Sequence, residues 1–287
     1  DYTVNLDGES FNGYSFFSEI RRETETWRSF IQYKVMSDDF RSDIGFITKN
    51  DIKQYDFWHS FYQYPNKKYL QNYRISFRHE QTYDYSETLK RSSSQLYIQF
   101  LTIGDTNIFY NYEYNWKKSH LEYQFQDFIN HLLRIRGKPL SFLDFNFSYK
   151  FGKDIAYREI IPQLGYETNI NFDIEFAINN NLRVKPIISY QDIRKADSNE
   201  YYFKGYIGRL DIRYQFNTNL DIRLISEYND FSEQVFLQPL ISWRPNPDTI
   251  FYLGGNQNYI NNFIDYNSPH YRVNKTQLFL KFQYLFK

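Results

Sequence analysis

Through most of this chain every second side chain is apolar, and the residues between them carry charges or amides. Between Leu220 and Tyr228 one face reads Leu220, Ile222, Leu224, Ser226, Tyr228 and the other Asp221, Arg223, Ile225, Glu227. That period of two is the signature of a β-strand with one greasy and one wet side, and only Ile225 breaks it. Just ahead, Asn217-Thr218-Asn219 closes a hairpin from Tyr206, Leu210, Ile212 and Tyr214, whose opposite face carries Arg209, Asp211, Arg213 and Gln215. The next turn is Asn246-Pro247-Asp248. Adjacent strands with several full charges on one face cannot be dry on both sides, because unpaired buried charge is too costly. One face must meet hydrocarbon or a core, and the other must meet water.

The same pattern recurs along the chain. A strand at about 13–22 sets Tyr14, Phe16, Ser18 and Ile20 against Glu19 and Arg21, and its partner sets Trp27, Ile31, Tyr33 and Val35 against Arg28, Gln32 and Lys34. A charged loop at 37–52 is too polar for a membrane. Strands follow at 53–63 and 70–83, the second with Tyr73, Ile75 and Phe77 opposed by Arg74, Ser76, Arg78 and Glu80. Gly104-Asp105 joins strands at 92–103 and 106–117, a compact hairpin signal. In the latter, Ile108, Tyr110, Tyr112, Tyr114 and Trp116 alternate with Phe109, Asn111, Glu113, Asn115 and Lys117. Residues 119–136 fit a helix as readily as a strand; a strand over about 122–136, ended by Gly137-Lys138-Pro139, is the reading adopted.

The segment 141–151 sets Leu143, Phe145, Phe147, Tyr149 and Phe151 against Asp144, Asn146, Ser148 and Lys150. Beyond it, Ile170, Phe172, Ile174 and Phe176 oppose Asn171, Asp173 and Glu175. The Asn179-Asn180-Asn181 turn leads into Leu182, Val184, Ile188 and Tyr190 opposed by Arg183, Lys185, Ser189 and Gln191. Asn tolerates the positive φ that hairpin turns demand, which predicts that backbone there. Strands at 235–244, 249–259 and 273–286 complete the series, the last with Leu278, Leu280, Phe282, Tyr284 and Phe286 on one face.

Most of these segments run to about ten residues or more, enough to cross a bilayer when tilted, whereas soluble strands average about five or six. Tyr 29, Phe 28 and Trp 4 make 21% of the 287 residues aromatic, yet mean hydropathy is -0.70. Alternation around aromatic girdles produces that pairing in outer-membrane barrels. Tight turns at 178–181, 216–219 and 245–248 against longer loops match the asymmetry of such barrels. The sequence therefore predicts an all-β fold, a transmembrane antiparallel up-and-down β-barrel of 14 to 16 strands in one domain over 1–287. Residues 2–7 would supply an initial strand that makes 16 and puts both termini on the short-turn side. A soluble β-solenoid or sandwich array is the competing architecture.

No run approaches 18 apolar residues, which argues against a membrane helix. Lys+Arg 34 balances Asp+Glu 34, so no net field favours nucleic acid. Cysteine is absent, which removes disulfides, thiolate chemistry and thiolate zinc sites. The opening at Asp1, without Met or a signal sequence, predicts a cleaved signal or the C-terminal part of a longer protein.

The run Tyr206-Ile207-Gly208-Arg209-Leu210-Asp211-Ile212-Arg213-Tyr214-Gln215-Phe216, then Ser226-Glu227-Tyr228-Asn229-Asp230-Phe231, then Trp243-Arg244-Pro245-Asn246-Pro247-Asp248-Thr249, resembles the barrel region of a family found in Bacteroidota. Ser42-Asp43-Ile44-Gly45-Phe46-Ile47-Thr48-Lys49-Asn50-Asp51 resembles that family's loop motif early in the barrel. The likeness covers scattered blocks of residues 40–287. Full-length members join an N-terminal carbohydrate-binding domain of the family-nine type to an uncharacterised C-terminal barrel. The resemblance implies fold and an outer-membrane location in a Gram-negative bacterium; its motifs are turns and strand edges, none catalytic. The closing strand is also similar to the C-terminal signal that barrel-assembly machinery reads, with Lys287 as a departure because the aromatic is penultimate.

Catalytic signatures are nearly absent. His59, His79, His120, His131 and His270 are isolated, with no HExxH, nucleophile elbow or phosphate loop. His79 or His131 pairing with a serine across strands would make an outer-membrane hydrolase, the weakest of three readings; no enzyme activity and no cofactor are expected. Asp38, Asp39, Asp43 and Asp51 fit a solvated acidic loop, mixed with Arg41 and Lys49, better than a cation site. The expected lumen-lining set is Arg74, Arg78, Glu80, Glu113, Lys117, Asp144, Lys150, Asp173, Glu175, Arg183, Lys185, Arg209, Asp211, Arg213, Asp221, Arg223 and Glu227. The expected membrane-facing set is Tyr110, Tyr112, Tyr114, Phe145, Phe147, Phe172, Ile174, Leu210, Ile212, Leu220, Ile222, Leu224, Leu280, Phe282 and Tyr284. Interleaved signs inside suit either a wet channel for neutral polar solutes such as glycans or a salt-bridged interior that holds the barrel shut. Two functions follow: a channel or translocation component, or a structural barrel that anchors another domain or joins an envelope complex. Expected partners are outer-membrane lipid and lipopolysaccharide, with envelope proteins and glycan as further candidates.

Overall fold

A computed structural model describes residues 12–40, 49–262 and 270–286. The expected strand at 2–7, Asp43 and most of the loop motif at 42–51 lie outside the described residues. Among the described residues, fifteen antiparallel strands follow one another in an up-and-down order within one sheet. They are β1 (Ser15–Glu23), β2 (Trp27–Met36), β3 (Ile52–Gln63), β4 (Leu70–Tyr83), β5 (Leu89–Thr102), β6 (Asn107–His120), β7 (Tyr123–Leu140), β8 (Leu143–Ile155), β9 (Leu164–Ala177), β10 (Leu182–Lys195), β11 (Tyr201–Gln215), β12 (Leu220–Asn229), β13 (Gln234–Asn246), β14 (Thr249–Asn262) and β15 (His270–Tyr284). Among the described residues the sole helical element is the single turn Ile103–Asp105, and no helix is long and apolar enough to cross a membrane. Strand length runs from 9 residues in β1 to 18 in β7.

Local chemistry explains where the chain turns. Gly104 (φ 60°) and Asp105 (φ 50°) both take the left-handed conformation between β5 and β6, which a two-residue reversal requires. The asparagine turns work differently from the expectation of positive φ. Asn179 Oδ1 accepts the amides of Asn181 and Leu182, both at 2.8 Å. Asn217 Oδ1 repeats this on Asn219 and Leu220 at 2.8 and 3.0 Å. In each case the side chain acts as a backbone carbonyl and closes the turn without a left-handed residue.

Two boundaries differ from the sequence reading. β7 does not stop at Gly137-Lys138-Pro139 but continues to Leu140. A Cβ on Gly137 would lie 2.4 Å from Thr106 Oγ1, so the glycine admits a close neighbouring backbone instead of ending the strand. Within β7, Phe125 and Phe128 join Ile155 and Leu164 in one cluster although they are three positions apart, an odd spacing that would put them on opposite faces of a regular strand. Asp127, at φ 52°, supplies the extra residue that puts both rings on one side, the geometry of a bulge. At the C-terminus, pairing ends at Tyr284, two residues short of the expected Phe286, and Leu285 N–H donates to the Asp248 carbonyl at 2.8 Å.

Links after even-numbered strands include the long ones at 37–51, 156–163 and 263–269, and links after odd-numbered strands include 24–26, 141–142 and 247–248. The asymmetry is partial, because the link 121–122 after β6 is among the shortest.

Packing divides the chain into two compact units. The first comprises residues 1–100, 109–131 and 152–164. Its strands have an inverted burial: Ser60, Ser76, Ser93 and Asn115 are fully buried, while Ile31, Phe57, Ile75 and Phe77 are exposed. Its buried apolar residues are few among the described residues: the Phe125, Phe128, Ile155 cluster, with Val35, Met36, Ile52 and Ala156 besides. The second unit comprises residues 101–108, 132–151 and 165–287. There too Ser242 and Asp192 are buried while Ile188, Trp243, Leu253 and Leu280 are exposed. Ile225, the residue that breaks the alternation, lies on the charged side opposite Asp211 and Gln238 and is 3% exposed.

Candidate functional site: the charged face

In the first unit, register puts Arg28, Phe30, Gln32, Asp56, Trp58, Ser60, Arg74, Ser76, Arg78 and Glu80 on one side of β2, β3 and β4. Arg78 grips Asp56 with two of its guanidinium nitrogens, Nε at 2.9 Å and Nη2 at 2.6 Å, and Nη2 also reaches Glu80 at 2.9 Å. Arg91 continues the chain to Glu80 at 3.6 Å and Glu113 at 3.5 Å. Cation and anion therefore alternate from β3 to β6, with Asp56 and Glu80 buried. A buried carboxylate is tolerable only when paired in this way. Alongside, Trp58 Nε1 donates to Ser60 Oγ at 2.5 Å, and Ser60 donates to Ser76 Oγ at 2.6 Å.

A second feature of this face is a row of rings. Phe30 stacks on Trp58 at 6.0 Å, Trp58 on Tyr97 at 5.6 Å, and Tyr97 meets Phe109 at 5.8 Å. Arg21 sits over Phe30, and Arg74 over Trp58 and Tyr62. Only Phe109 of this row is visible in the sequence reading. The available signal is a ring falling in the charged phase of an alternation: Phe30 between Arg28 and Gln32, Trp58 between Asp56 and Ser60. A cavity of about 180 Å³ lies against Phe30, Trp58 and Tyr62, bordered by Arg21 and Arg28.

In the second unit, register brings Asp173, Lys185, Asp211, Arg209, Glu227, Arg183, Arg213 and Arg223 to one face of β9 through β12. Lys150 pairs with Glu167 at 2.5 Å, Lys185 with Asp173 at 3.3 Å, Arg183 with Glu175 at 3.1 Å, and Arg209 with Glu227 at 3.4 Å. Asn146 Nδ2 donates to Asp173 at 3.0 Å. Asp144 keeps the alternation of Asn146 and Lys150, and Lys117 that of Glu113 and Asn115. Asp221 faces Gln215 on one side and Ser242 on the other.

The opposite face gathers the apolar set. Phe172 lies opposite Ile188 and meets Phe147 edge-on at 6.3 Å. Ile212, Leu224 and Pro239 form one cross-strand row, and Tyr214, Ile222, Ile241, Leu253 and Leu280 form the next. Leu220, Trp243, Phe251 and Phe282 form a third. Leu210 and Tyr284 are exposed members of this face, and Phe145 and Ile174 share the alternation of Phe147 and Phe172. In the first unit, Tyr110 and Tyr114 spend their hydroxyls locally, on His131 Nδ1 and on Asp127, each at 2.8 Å. Tyr112 meets the His131 ring edge-on.

Serine–histidine pairs do form, both on the apolar side: Ser29 Oγ with His59 Nδ1 at 2.6 Å and Ser94 Oγ with His79 Nδ1 at 2.9 Å. Neither the His59 nor the His79 ring has a carboxylate partner among the described residues, and Ser94 also accepts the Trp116 Nε1–H at 3.1 Å. The group that orients the imidazole in a hydrolytic triad is thus missing from both pairs.

At the link end, Asp84 Oδ1 accepts the Thr88 amide at 2.8 Å and the Ser86 hydroxyl at 2.7 Å, and Lys90 lies 2.8 Å from Oδ2. The Lys90 contact first, then these donors, hold the Asp84 carboxyl well below the usual carboxylate range. Asp51, which accepts the Tyr85 amide at 2.7 Å, is pushed the other way by burial and by the charges of Asp84 and Asp38. No group of three or more metal-binding side chains occurs among the described residues. No protein-family model and no curated protein matches the chain.

Proposed function

We propose that this chain is an outer-membrane β-barrel whose charged face lines a wet passage for polar solutes such as glycans. The observation that carries the reading is the inverted burial. Soluble proteins bury Ile, Leu and Phe and expose charge; here Phe57 and Phe77 are exposed on the strands that bury Asp56, Ser60 and Glu80. An apolar outer surface backed by a paired polar one suits hydrocarbon outside and water inside. The Phe30–Trp58–Tyr97–Phe109 row adds flat apolar rings between hydrogen-bonding groups, a surface on which a sugar ring can stack while its hydroxyls find donors and acceptors. In a bilayer the outer edges of β1 and β15 must be paired, since each unsatisfied backbone group in hydrocarbon costs several kcal/mol; closure of the sheet is part of the proposal.

Conductance in planar bilayers tests it. Open-channel steps are expected, and Arg209→Glu with Arg213→Glu should shift them toward cations without reducing insertion, because like charges along a pore bias which ions enter. Phe286→Ala with Tyr284→Ala should reduce insertion instead. A complete absence of steps from inserted protein overturns the channel.

The Asp56–Arg78–Glu80–Arg91–Glu113 network favours a second reading, a salt-bridged barrel that anchors a carbohydrate-binding domain or a partner in an envelope complex, as in the Bacteroidota family that the sequence resembles. Under that reading, inserted protein is silent in bilayers and Arg78→Gln is needed before current appears.

A further inference from the structure

Cross-strand register places three arginines side by side. Arg183 faces Arg213 and Arg213 faces Arg223, on β10, β11 and β12. Arg244 follows on the same face of β13, two residues past Ser242, the partner of Asp221. Like charges directly opposite one another destabilise a sheet. Glu175 compensates Arg183 at 3.1 Å, but Arg213, Arg223 and Arg244 make no ion pair among the described residues, and Arg223 Nε is buried without a hydrogen-bond partner. A cavity of about 260 Å³ opens between them, lined also by Ser242, Tyr252 and the single carboxylate of Asp221. Ser242 is 4% exposed, so its hydroxyl is a fixed wall of the cavity. Lys281 Nζ lies 5.8 Å from the Tyr252 ring and adds a cation at the border.

From this row we infer that the second unit binds a small multivalent oxyanion of the diphosphate class in the cavity between Arg213, Arg223 and Arg244. Three guanidinium groups against one carboxylate leave positive charge unspent, and planar forks match phosphate oxygens two at a time. The hydroxyls of Ser242 and Tyr252 can donate to remaining oxygens. The cavity is smaller than the roughly 300–1,000 Å³ typical of sites for drug-sized ligands, which selects a compact anion. Its lining belongs to the charged face, so the ligand is a dissolved oxyanion in preference to a lipid headgroup. The inference stands on the arginine geometry and requires no ion current.

Calorimetric titration of the full chain in neutral detergent at low salt, with inorganic diphosphate as the probe, tests it. Binding is expected, and Arg213→Gln with Arg223→Gln should weaken it at least about tenfold, the scale of a lost charge-assisted contact. Lys195→Gln, on a pair with Glu200 at the link after β10, should leave affinity unchanged. Without anion the double variant should melt no lower than the parent, because its repulsion is relieved, and only the parent should gain stability when diphosphate is added. If the double variant fails to fold, Arg244→Gln, at an exposed position, carries the comparison with an expected severalfold loss. No binding by the parent, equal affinity in the arginine variants, or binding of phosphatidic acid micelles without diphosphate binding would overturn the inference. Silence in bilayers with diphosphate binding intact would count against the channel alone.

Discussion

The two units present the same kind of face with opposite electrostatic outcomes. In the first, the arginines that meet carboxylates share them, Arg78 between Asp56 and Glu80 and Arg91 between Glu80 and Glu113, while Arg74 lies over the Trp58 and Tyr62 rings. Rings fill the space between, and the serines beneath are buried. In the second, Lys185, Arg209 and Arg183 are paired, but the row through Arg213, Arg223 and Arg244 is not. Composition does not separate them, since both faces are built from Arg, Lys, Asp and Glu in alternation. Which charges register against which makes one face a closed network and the other an open site. A paired face has its charges satisfied within the fold; an unpaired row is left to meet a counter-charge from outside.

The largest expected effect lies on the apolar side, where the two units should agree. Phe77→Arg in the first and Leu224→Arg in the second, if near the bilayer midplane, should each cost about 2–4 kcal/mol in lipid. Ser148→Arg, on the polar side, should be nearly neutral. Equal costs on both sides in urea unfolding from vesicles would mean that the polar side is dry and packed.

On the charged side the units should part. Asp56→Ala removes a two-point acceptor from Arg78 and should cost about 1.5–3 kcal/mol, the range for hydrogen bonds to charged groups, moderated because Arg78 keeps Glu80. Arg213→Gln in the second unit should fall within about 0.5 kcal/mol of the parent or stabilise it. A matching loss at Arg213 would show that the row has a partner after all and erase the contrast.

A smaller effect is expected from the rings. Trp58→Leu keeps bulk but removes stacking on Phe30 and Tyr97, each such pair contributing about 0.5–1.5 kcal/mol beyond area. If the proposed passage exists, the substitution should also lower its affinity for a maltose-class oligosaccharide, read as reduced current block. Unchanged block would confine the row to a structural role.

The smallest effect is local and depends on pH. Asp84 has a depressed carboxyl in the folded state, so its contribution is present above the ordinary aspartate range and is lost as pH falls through the folded value. Protection of the Thr88 amide, measured against its intrinsic exchange rate at each pH, should therefore fall on acidification, and Asp84→Asn should remove that dependence. Asp51, raised by burial, works in reverse: its contribution is full at low pH and is lost as pH rises through its folded value. Parallel responses from the two links would refute the assigned causes.

The strands, the division of each into two faces, and most turn positions are legible in the chain's local pattern, because a period of two and the side-chain chemistry of Asn and Gly act over a few residues. Thus Leu220, Ile222 and Leu224 part from Asp221 and Arg223 in the alternation and in the sheet alike. The passage of β7 through Gly137 needed the neighbouring Thr106 backbone, and the shared cluster of Phe125 and Phe128 needed the bulge at Asp127. The aromatic row and the arginine row also came only from the tertiary structure. Phe30, Trp58 and Tyr97, like Arg183, Arg213 and Arg223, sit on strands far apart in sequence, and register decides which of them meet. A shift of two residues would keep every face as it is and exchange every partner, so alternation fixes sides while cross-strand packing alone fixes neighbours.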